Sequence, residues 1–191
     1  MALTLNGSNN TIGGVAVGGL PDGIVDTDML AANAVNLAKL GKTNGKYGPI
    51  LQVVHANYAS AVESSNTAAY TDTGLTASIT PTSATNTILV MISQNFRLAS
   101  ATNGGQNGGS IQILRGSTNI TTNQQAYLFY NNNSQSATLF NYTNYSVQVL
   151  DSPSTTSATT YKTQQIVYGT GNSIFANYAG VSRMTLLELA S

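Results

Sequence analysis

Residues 87–98 of this 191-residue chain read TILVMISQNFRL, and they contain, at Ile88–Ile92, a continuous run of large apolar side chains. A short apolar run between polar turn residues is typical of a buried strand. The stretch directly before it, Pro81–Asn86, favours a turn. We therefore predict a central strand at Thr87–Leu98.

Further strands are predicted on both sides of this centre, at short and regular intervals with polar turns between them. They are Ile50–Tyr58, Ala68–Asp72, Leu75–Thr80, Ser110–Arg115, Gln125–Tyr130, Ala137–Tyr142, Ser146–Leu150, Thr159–Val167, Ser173–Tyr178 and Ser182–Leu189. This pattern indicates an all-β fold over residues 50–191, an antiparallel two-sheet sandwich of the jelly-roll kind, here called the knob.

The composition agrees with an all-β fold and restricts the function. The chain has 21 Asn, 25 Thr and 19 Ser, which suit turns and strand faces better than helices. Seven basic residues balance seven acidic ones, so we expect no nucleic-acid partner. No apolar run is long enough for a membrane helix, and the first residues lack a signal-peptide pattern, so we expect no membrane insertion and no secretion.

Residues 1–20 form a separate N-terminal segment, which we interpret as an extended anchoring arm. Apolar residues in it alternate with Asn and with paired Gly, which is compatible with one or two short strands. Such strands have too little apolar surface to stand alone, so the arm needs a surface to lie against. The candidate anchoring residues are Leu3, Leu5, Ile12, Val15 and Val17.

Residues 21–41 are predicted to contain one short helix, and residues 42–49 a Gly- and Pro-containing linker. Apolar residues recur at a spacing of three and four, with one polar residue among them. The candidate seam is Leu30, Asn33, Leu37 and Leu40. A polar residue in a narrow apolar seam is typical of an oligomer-forming stalk; the alternative is a single helix packed on the chain's own knob.

The sequence holds no catalytic or metal-binding constellation that we can identify. The chain has no Cys, and its one histidine, His55, has no second His to complete a metal set. We interpret His55 as a structural or partly exposed side chain. We therefore expect no catalytic residues, no metal and no cofactor, and a protein that is not an enzyme.

Two stretches are candidate ligand-binding loops. Residues 99–109 are rich in Gly and Asn, and residues 141–145 combine Asn with Tyr, whose ring packs while its hydroxyl hydrogen-bonds. The candidate residues are Asn103, Gln106, Asn107, Tyr142 and Tyr145. The alternative for the tyrosines is that they fill the sandwich core or a subunit interface.

Four stretches of the sequence resemble tail-fibre-like and virion surface proteins of marine and cyanobacterial phages. They are residues 1–35 (beginning MALTLNGSNNTIGG), 50–93 (beginning ILQVVHANYAS), 111–120 (IQILRGSTNI) and 150–164 (LDSPSTTSATTYKTQ). The resemblance implies a non-enzymatic, homotrimeric virion protein with an N-terminal part that docks or forms a stalk and a C-terminal β-rich knob. It also implies a place on the virion surface after synthesis in the host cytoplasm.

Two functions are compatible with this resemblance. A short surface fibre or knob would be anchored to another virion protein by its N-terminus and would present loops to a host-surface glycan or protein. A capsid decoration or cement protein would bind the head shell through its N-terminal arm and stabilise it. The chain has only one short stalk unit, which argues against a complete long tail fibre.

The stalk hypothesis predicts that Leu37→Asp converts a trimer into monomers. In a trimeric seam the three introduced carboxylates would meet in an apolar environment, where burying charge is costly. Light scattering measures the mass directly, and Lys39→Gln in the same segment serves as a control. An unchanged mass for Leu37→Asp would contradict the stalk hypothesis.

Overall fold

The structure, a computed structural model, describes residues 4–6, 11–13, 50–100, 105–121, 129–133 and 137–190. Every regular element in these residues is a β-strand. The strands are β1 (Thr4–Asn6), β2 (Thr11–Gly13), β3 (Ile50–Tyr58), β4 (Val62–Ser64), β5 (Thr71–Ile79), β6 (Thr87–Ser100), β7 (Gly105–Arg115), β8 (Thr118–Asn119), β9 (Phe129–Asn133), β10 (Leu139–Asp151), β11 (Thr159–Tyr168), β12 (Ser173–Ala176) and β13 (Ser182–Leu189).

The chain divides into two compact units, Met1–Asn44 and Gly45–Ser191. In the first unit, β1 and β2 form a two-stranded antiparallel sheet in which Leu5 pairs with Ile12. The second unit contains β3 to β13 and is called the body below.

Strand β6 is the centre of the larger sheet, as the apolar run predicted. Its fourteen residues alternate without a break between buried and half-buried side chains, which is the two-residue period of a strand. Ile88, Val90 and Ile92 face the core, and the odd-numbered side chains lie on the opposite face, called the outer face below.

The larger sheet has six antiparallel strands arranged around β6. Along one edge of β6, β10 pairs with it from residue 88 to residue 100. Along the other edge, β13 pairs with its first half and β12 with its second half. The sheet continues outward through β3 beside β13 and β4 beside β12.

The smaller sheet has five strands and lies on the other side of the core. Strand β11 is central, with β5 on one edge and β7 on the other. Two short strands, β8 and β9, pair with the two ends of β7. Buried side chains from both sheets belong to the same apolar cluster, as in the layers of a β-sandwich.

The core consists of two apolar clusters with buried polar side chains between them along β6. The first cluster includes Val90 and Ile92, and the second includes Phe96 and Leu98. Gln94, between them on the same face, is completely buried. Each buried amide or hydroxyl in this layer needs a hydrogen-bond partner, because burying one without a partner costs about 1–3 kcal/mol.

These partners come from three separate parts of the chain. Gln94 Nε2 donates to Thr73 Oγ1 at 3.0 Å and to Asn177 Oδ1 at 2.9 Å. Asn177 Nδ2 in turn donates to the backbone oxygen of Thr73 at 2.7 Å, and the hydroxyls of Thr73 and Thr163 lie 2.5 Å apart. The polar layer therefore ties β5, β6 and β11 to the segment after β12.

A charged contact joins the two sheets at one end of the body. Arg115 Nη1 on β7 donates to both carboxylate oxygens of Asp151 on β10, at 2.8 and 3.0 Å. Tyr161 on β11, completely buried, donates its hydroxyl to Asp151 at 2.7 Å. Burial, together with this hydrogen bond to a carboxylate, raises the pKa of Tyr161.

A second buried carboxylate, Glu188 on β13, closes the core at its edge. Its Oε1 accepts hydrogen bonds from the Thr82 backbone at 2.6 Å, the Thr82 hydroxyl at 2.7 Å and Asn86 Nδ2 at 2.7 Å. Burial alone would raise the pKa of Glu188, but these hydrogen bonds outweigh it and hold the pKa below its ordinary value. Glu188 thereby fixes the turn that leads into β6.

The predicted all-β, antiparallel architecture is confirmed, and two strands, β3 and β13, have the predicted bounds. The separate strands predicted at Ala137–Tyr142 and Ser146–Leu150 are wrong, because they form one strand, β10. The predicted helix and trimer stalk, with Leu30, Asn33, Leu37 and Leu40, lie outside the described residues, as do Leu3, Val15 and Val17 of the arm.

We predict that Tyr161→Phe lowers the free energy of unfolding by about 1–3 kcal/mol, because Asp151 loses a buried hydrogen-bond donor. Urea denaturation measures this change. Tyr70→Phe is the matched control at a half-buried tyrosine, and we expect it to stay within about 0.5 kcal/mol of the wild type. Equal losses in both variants would show that the Asp151 contact does not stabilise the fold.

Candidate functional site

Two adjacent cavities lie on the outer face of the larger sheet. The first, called the tyrosine groove, has a volume of about 330 Å³ and is lined by Asn95, Phe96, Tyr142, Thr143, Asn144, Tyr178 and Ala179. The second, called the His55 cavity, has a volume of about 200 Å³ and is lined by His55, Met91, Ile92, Ser93, Ser146, Val147, Gln148, Arg183 and Thr185. Residues of β6 and β10 line both cavities. The tyrosine groove is completed by the segment between β12 and β13, and the His55 cavity by β3 and β13.

A bulge between β12 and β13 shapes the tyrosine groove. Ala176 pairs with Phe96 and Arg183 pairs with Ser93, so residues 177–182 lie opposite only Gln94 and Asn95. Bulges of this kind redirect side chains at the edge of a sheet. Here the bulge sends Asn177 into the polar layer of the core, while Tyr178 lines the groove outside.

The backbone of the bulge is held in an unusual conformation. Asn177 and Ala179 have φ angles of 59° and 57°, in the left-handed region that Asn tolerates better than Ala does. The backbone N–H group of Asn177 donates to the backbone oxygen of Asn95 at 2.7 Å. A Cβ atom on Gly180 would collide with the Asn95 side-chain amide, so a larger residue at this position would displace that amide from the groove.

An arginine fixes the aromatic rings beside the groove. The Arg97 guanidinium carbon lies 3.9 Å from the ring centroids of both Phe175 and Tyr178, and 5.0 Å from that of Phe140. We call these four residues the Arg97 cluster. Cation–π contacts of this kind contribute about 0.5–2 kcal/mol, depending on solvent exposure. The cluster positions Tyr178, whose centroid is 5.9 Å from that of Tyr142.

The tyrosine groove combines exposed aromatic surface with neutral hydrogen-bonding groups. Tyr142 is 59% exposed, so one of its faces is open to a ligand. Two residues along β10 on the same face, Asn144 Nδ2 donates to Asn95 Oδ1 at 2.9 Å and to Ser93 Oγ at 3.3 Å. A ring that can stack and amides that can bind hydroxyls together suit a sugar, which has an apolar face and many hydroxyls.

The His55 cavity has a more apolar lining than the tyrosine groove, but it includes a cationic side chain. His55 Nε2 lies 2.9 Å from Asn57 Oδ1, a carbonyl oxygen that only accepts, so Nε2 carries the proton. In the neutral ring Nδ1 is then the acceptor for the Thr185 hydroxyl at 2.9 Å. Arg183 lines the same cavity and is exposed.

The smaller sheet has a third cavity, of about 210 Å³, beside an ion pair. Lys162 Nζ lies 2.9 Å from the Asp72 carboxylate, and Gln164 Nε2 donates to it at 2.7 Å. The hydrogen bond from Lys162 is the main cause of the lowered pKa of Asp72. Lys162 and Asp72 neutralise each other's charge. This cavity therefore leaves fewer unpaired polar groups available to a ligand than the two cavities on the larger sheet.

The structure corrects the predicted ligand-binding loop at Tyr142 and Tyr145. Both tyrosines lie within β10, which pairs with β6 in unbroken register and pairs Asn144 with Asn95. Successive strand residues alternate between faces, so the two rings point in opposite directions. Tyr142 faces the groove, whereas Tyr145 packs on the second core cluster, where burial raises its pKa.

The second predicted loop is also partly corrected. Gln106 and Asn107 lie in β7, where they pair with Asn132 and Asn131 of β9, so they are strand residues. Asn103 lies outside the described residues.

Four residues of this face were not predicted from the sequence: Arg97, Tyr178, Asn95 and Arg183. Tyr178 and Tyr142 are distant in sequence and meet only through the pairing of β12 and β10 with β6. One signal was present, because the apolar residues Ile88, Val90 and Ile92 place the odd-numbered residues 95 and 97 on the other face of the same strand.

The described ranges contain neither a metal-binding cluster nor a membrane-spanning helix. No group of three or more His, Asp or Glu side chains lies close enough there to hold a metal ion. The same part of the chain contains no helix with the length and apolarity needed to span a membrane.

Comparison with known proteins identifies no family. No protein-family profile matches the chain, and no curated protein matches it. Among solved structures, it resembles a chain in the structure of infectious bursal disease virus, Gx strain, with a TM-score of 0.36 and 14% identity. The match covers 72% of this chain and 40% of that one, and a likeness this small supports no conclusion about function.

We predict that Tyr145→Ala destabilises the body while Tyr142→Ala does not. Truncating Tyr145 leaves a gap against the second core cluster and should cost about 2 kcal/mol or more. Truncating the exposed ring of Tyr142 should cost less than about 1 kcal/mol. Urea denaturation of both variants checks this, and equal stabilities would contradict the assignment of the two rings to opposite faces.

Proposed function

We propose that this chain is a non-enzymatic structural protein of a bacteriophage virion, which acts as a short trimeric surface fibre and recognises a host-surface glycan. In this proposal residues 1–20 anchor it to another virion protein, residues 21–41 form the stalk, and the β-sandwich body is the knob. The sequence resemblance to tail-fibre-like proteins supports the virion role.

The tyrosine groove is the observation that carries host recognition. Its exposed ring, Tyr142, lies beside the Tyr178 ring, which limits the conformational freedom that Tyr142 has to lose on binding. The neighbouring carboxamides of Asn95 and Asn144 are aligned by their mutual hydrogen bond. A rigid ring beside oriented amides is a suitable site for one hexose unit.

The second candidate, a capsid decoration protein, is favoured by a different feature of the same face. Val53, Leu187, Leu89 and Leu150 are register neighbours and form an apolar row across four strands. Val53 is 58% exposed and Leu150 is 41% exposed. An exposed apolar row of this kind is typical of a surface that another protein covers.

Binding of the labelled full-length protein to host cells tests the first proposal. We expect saturable binding, and at least a tenfold loss of affinity for Tyr142→Ala, because the stacking surface is removed while the fold is kept. Leu150→Ser, in the apolar row, is the matched control, and we expect it to bind cells like the wild type.

The reverse pattern would overturn host recognition in favour of decoration. In that case neither the wild type nor Tyr142→Ala would bind host cells, and the two proteins would behave alike in every assay. Leu150→Ser would instead lose attachment to phage heads in a sedimentation assay with particles that lack the protein.

A further inference from the structure

The His55 cavity lies directly beside the tyrosine groove, and the two share a polar floor. Asn144 lines the groove, yet its amide also donates to Ser93, which lines the His55 cavity. Ser93 and Asn95 are two residues apart on β6, a distance of about 6.5 Å along the strand. The separation is close to the length of one sugar unit, so a chain of linked sugars could occupy both cavities.

Arg183 gives the second cavity a different chemistry from the first. Its Nη1 makes one long hydrogen bond, 3.4 Å, to the backbone oxygen of Val181. The ion pairs of the described body are Arg115–Asp151 and Lys162–Asp72, and neither involves Arg183. An exposed guanidinium without a carboxylate partner can bind a carboxylate through two parallel hydrogen bonds.

The other groups of the cavity fit a sugar around that carboxylate. The His55 ring is held by Thr185 and Asn57, so it forms a fixed wall. Ser146 and Gln148 are exposed on β10 and offer neutral groups for hydroxyls. The exposed acid Glu63 is on β4 beside Phe175, at the Arg97 end of the face, and is not among the residues that line the cavity.

We propose that the two cavities are neighbouring subsites for an acidic oligosaccharide, with one sugar unit on Tyr142 and the carboxylate of the next sugar bound by Arg183. This inference deepens the proposed function and rests on it, since it names the class of glycan that the same face would recognise. Arg183 selects for the charged sugar, while Tyr142 binds charged and neutral sugars alike.

The test is a titration of the full chain with two tetrasaccharides that differ only in charge. Tetragalacturonate carries free carboxylates, and its fully methyl-esterified form carries none. Binding is followed by NMR chemical shifts, which detect millimolar affinities. For the wild type we expect tetragalacturonate to bind at least tenfold more tightly than the ester.

Variants separate this inference from the proposed function. Arg183→Gln should remove the preference for tetragalacturonate by lowering its affinity to about that of the ester, whereas Arg183→Lys should keep part of the preference. Lys162→Gln, on the smaller sheet, is the matched charge control and should keep all of it. Tyr142→Ala should weaken both ligands.

Two results would overturn the proposal, and they differ. Equal binding of both tetrasaccharides by the wild type, with Tyr142→Ala still weakening both, would remove the acidic subsite and leave glycan recognition intact. Failure of both tetrasaccharides to bind, together with a failure to bind host cells, would overturn the proposed function as well.

Discussion

The hydrogen bond between Gln94 and Asn177 is the contact on which the functional face depends. Gln94 is buried between two apolar clusters, and its Nε2 group finds both of its hydrogen-bond acceptors only if Asn177 and Thr73 are in place. Asn177 reaches Gln94 because the chain departs from the sheet at residues 177–181 and adopts a left-handed backbone at Asn177. The same departure places Tyr178 on the outer face. The polar layer of the core and the aromatic wall of the groove are therefore consequences of one bulge.

The outer face is built from uncharged groups with a few isolated charges among them. Asn144, Asn95 and Ser93 form a hydrogen-bonded floor, and Arg97 is surrounded by aromatic rings. This arrangement makes the face rigid without ion pairs. In the described body the two ion pairs are elsewhere, at Arg115 and at Lys162. Both ion pairs stabilise the fold. The Arg115–Asp151 pair joins the two sheets, and the Lys162–Asp72 pair joins two neighbouring strands.

The sequence was sufficient to predict most of the longer strands but not their partners. The bounds of β3 and β13 follow from β-prone residues and turn signals on either side, and the apolar run at Ile88–Ile92 marks the central strand. The prediction failed at Asn141–Tyr145, where Asn and Tyr suggested a loop, because pairing with the fourteen-residue β6 overrides that local preference. The site was only half predictable for the same reason. Tyr142 was identified from composition, but Arg97 and Tyr178 join it only through strand register.

The amide floor has a consequence for the medium in which the protein works. Dissolved salt screens exposed charges from each other when they are farther apart than about 8 Å at physiological ionic strength or about 3 Å at 1 M, but it leaves hydrogen bonds between neutral groups nearly unchanged. Contacts made by Asn95, Asn144 and the Tyr142 ring are therefore almost the same in fresh water and in brine. A ligand contact to Arg183 weakens as ionic strength rises. The face thus has a constant neutral part and a part whose strength follows the salinity of the surroundings.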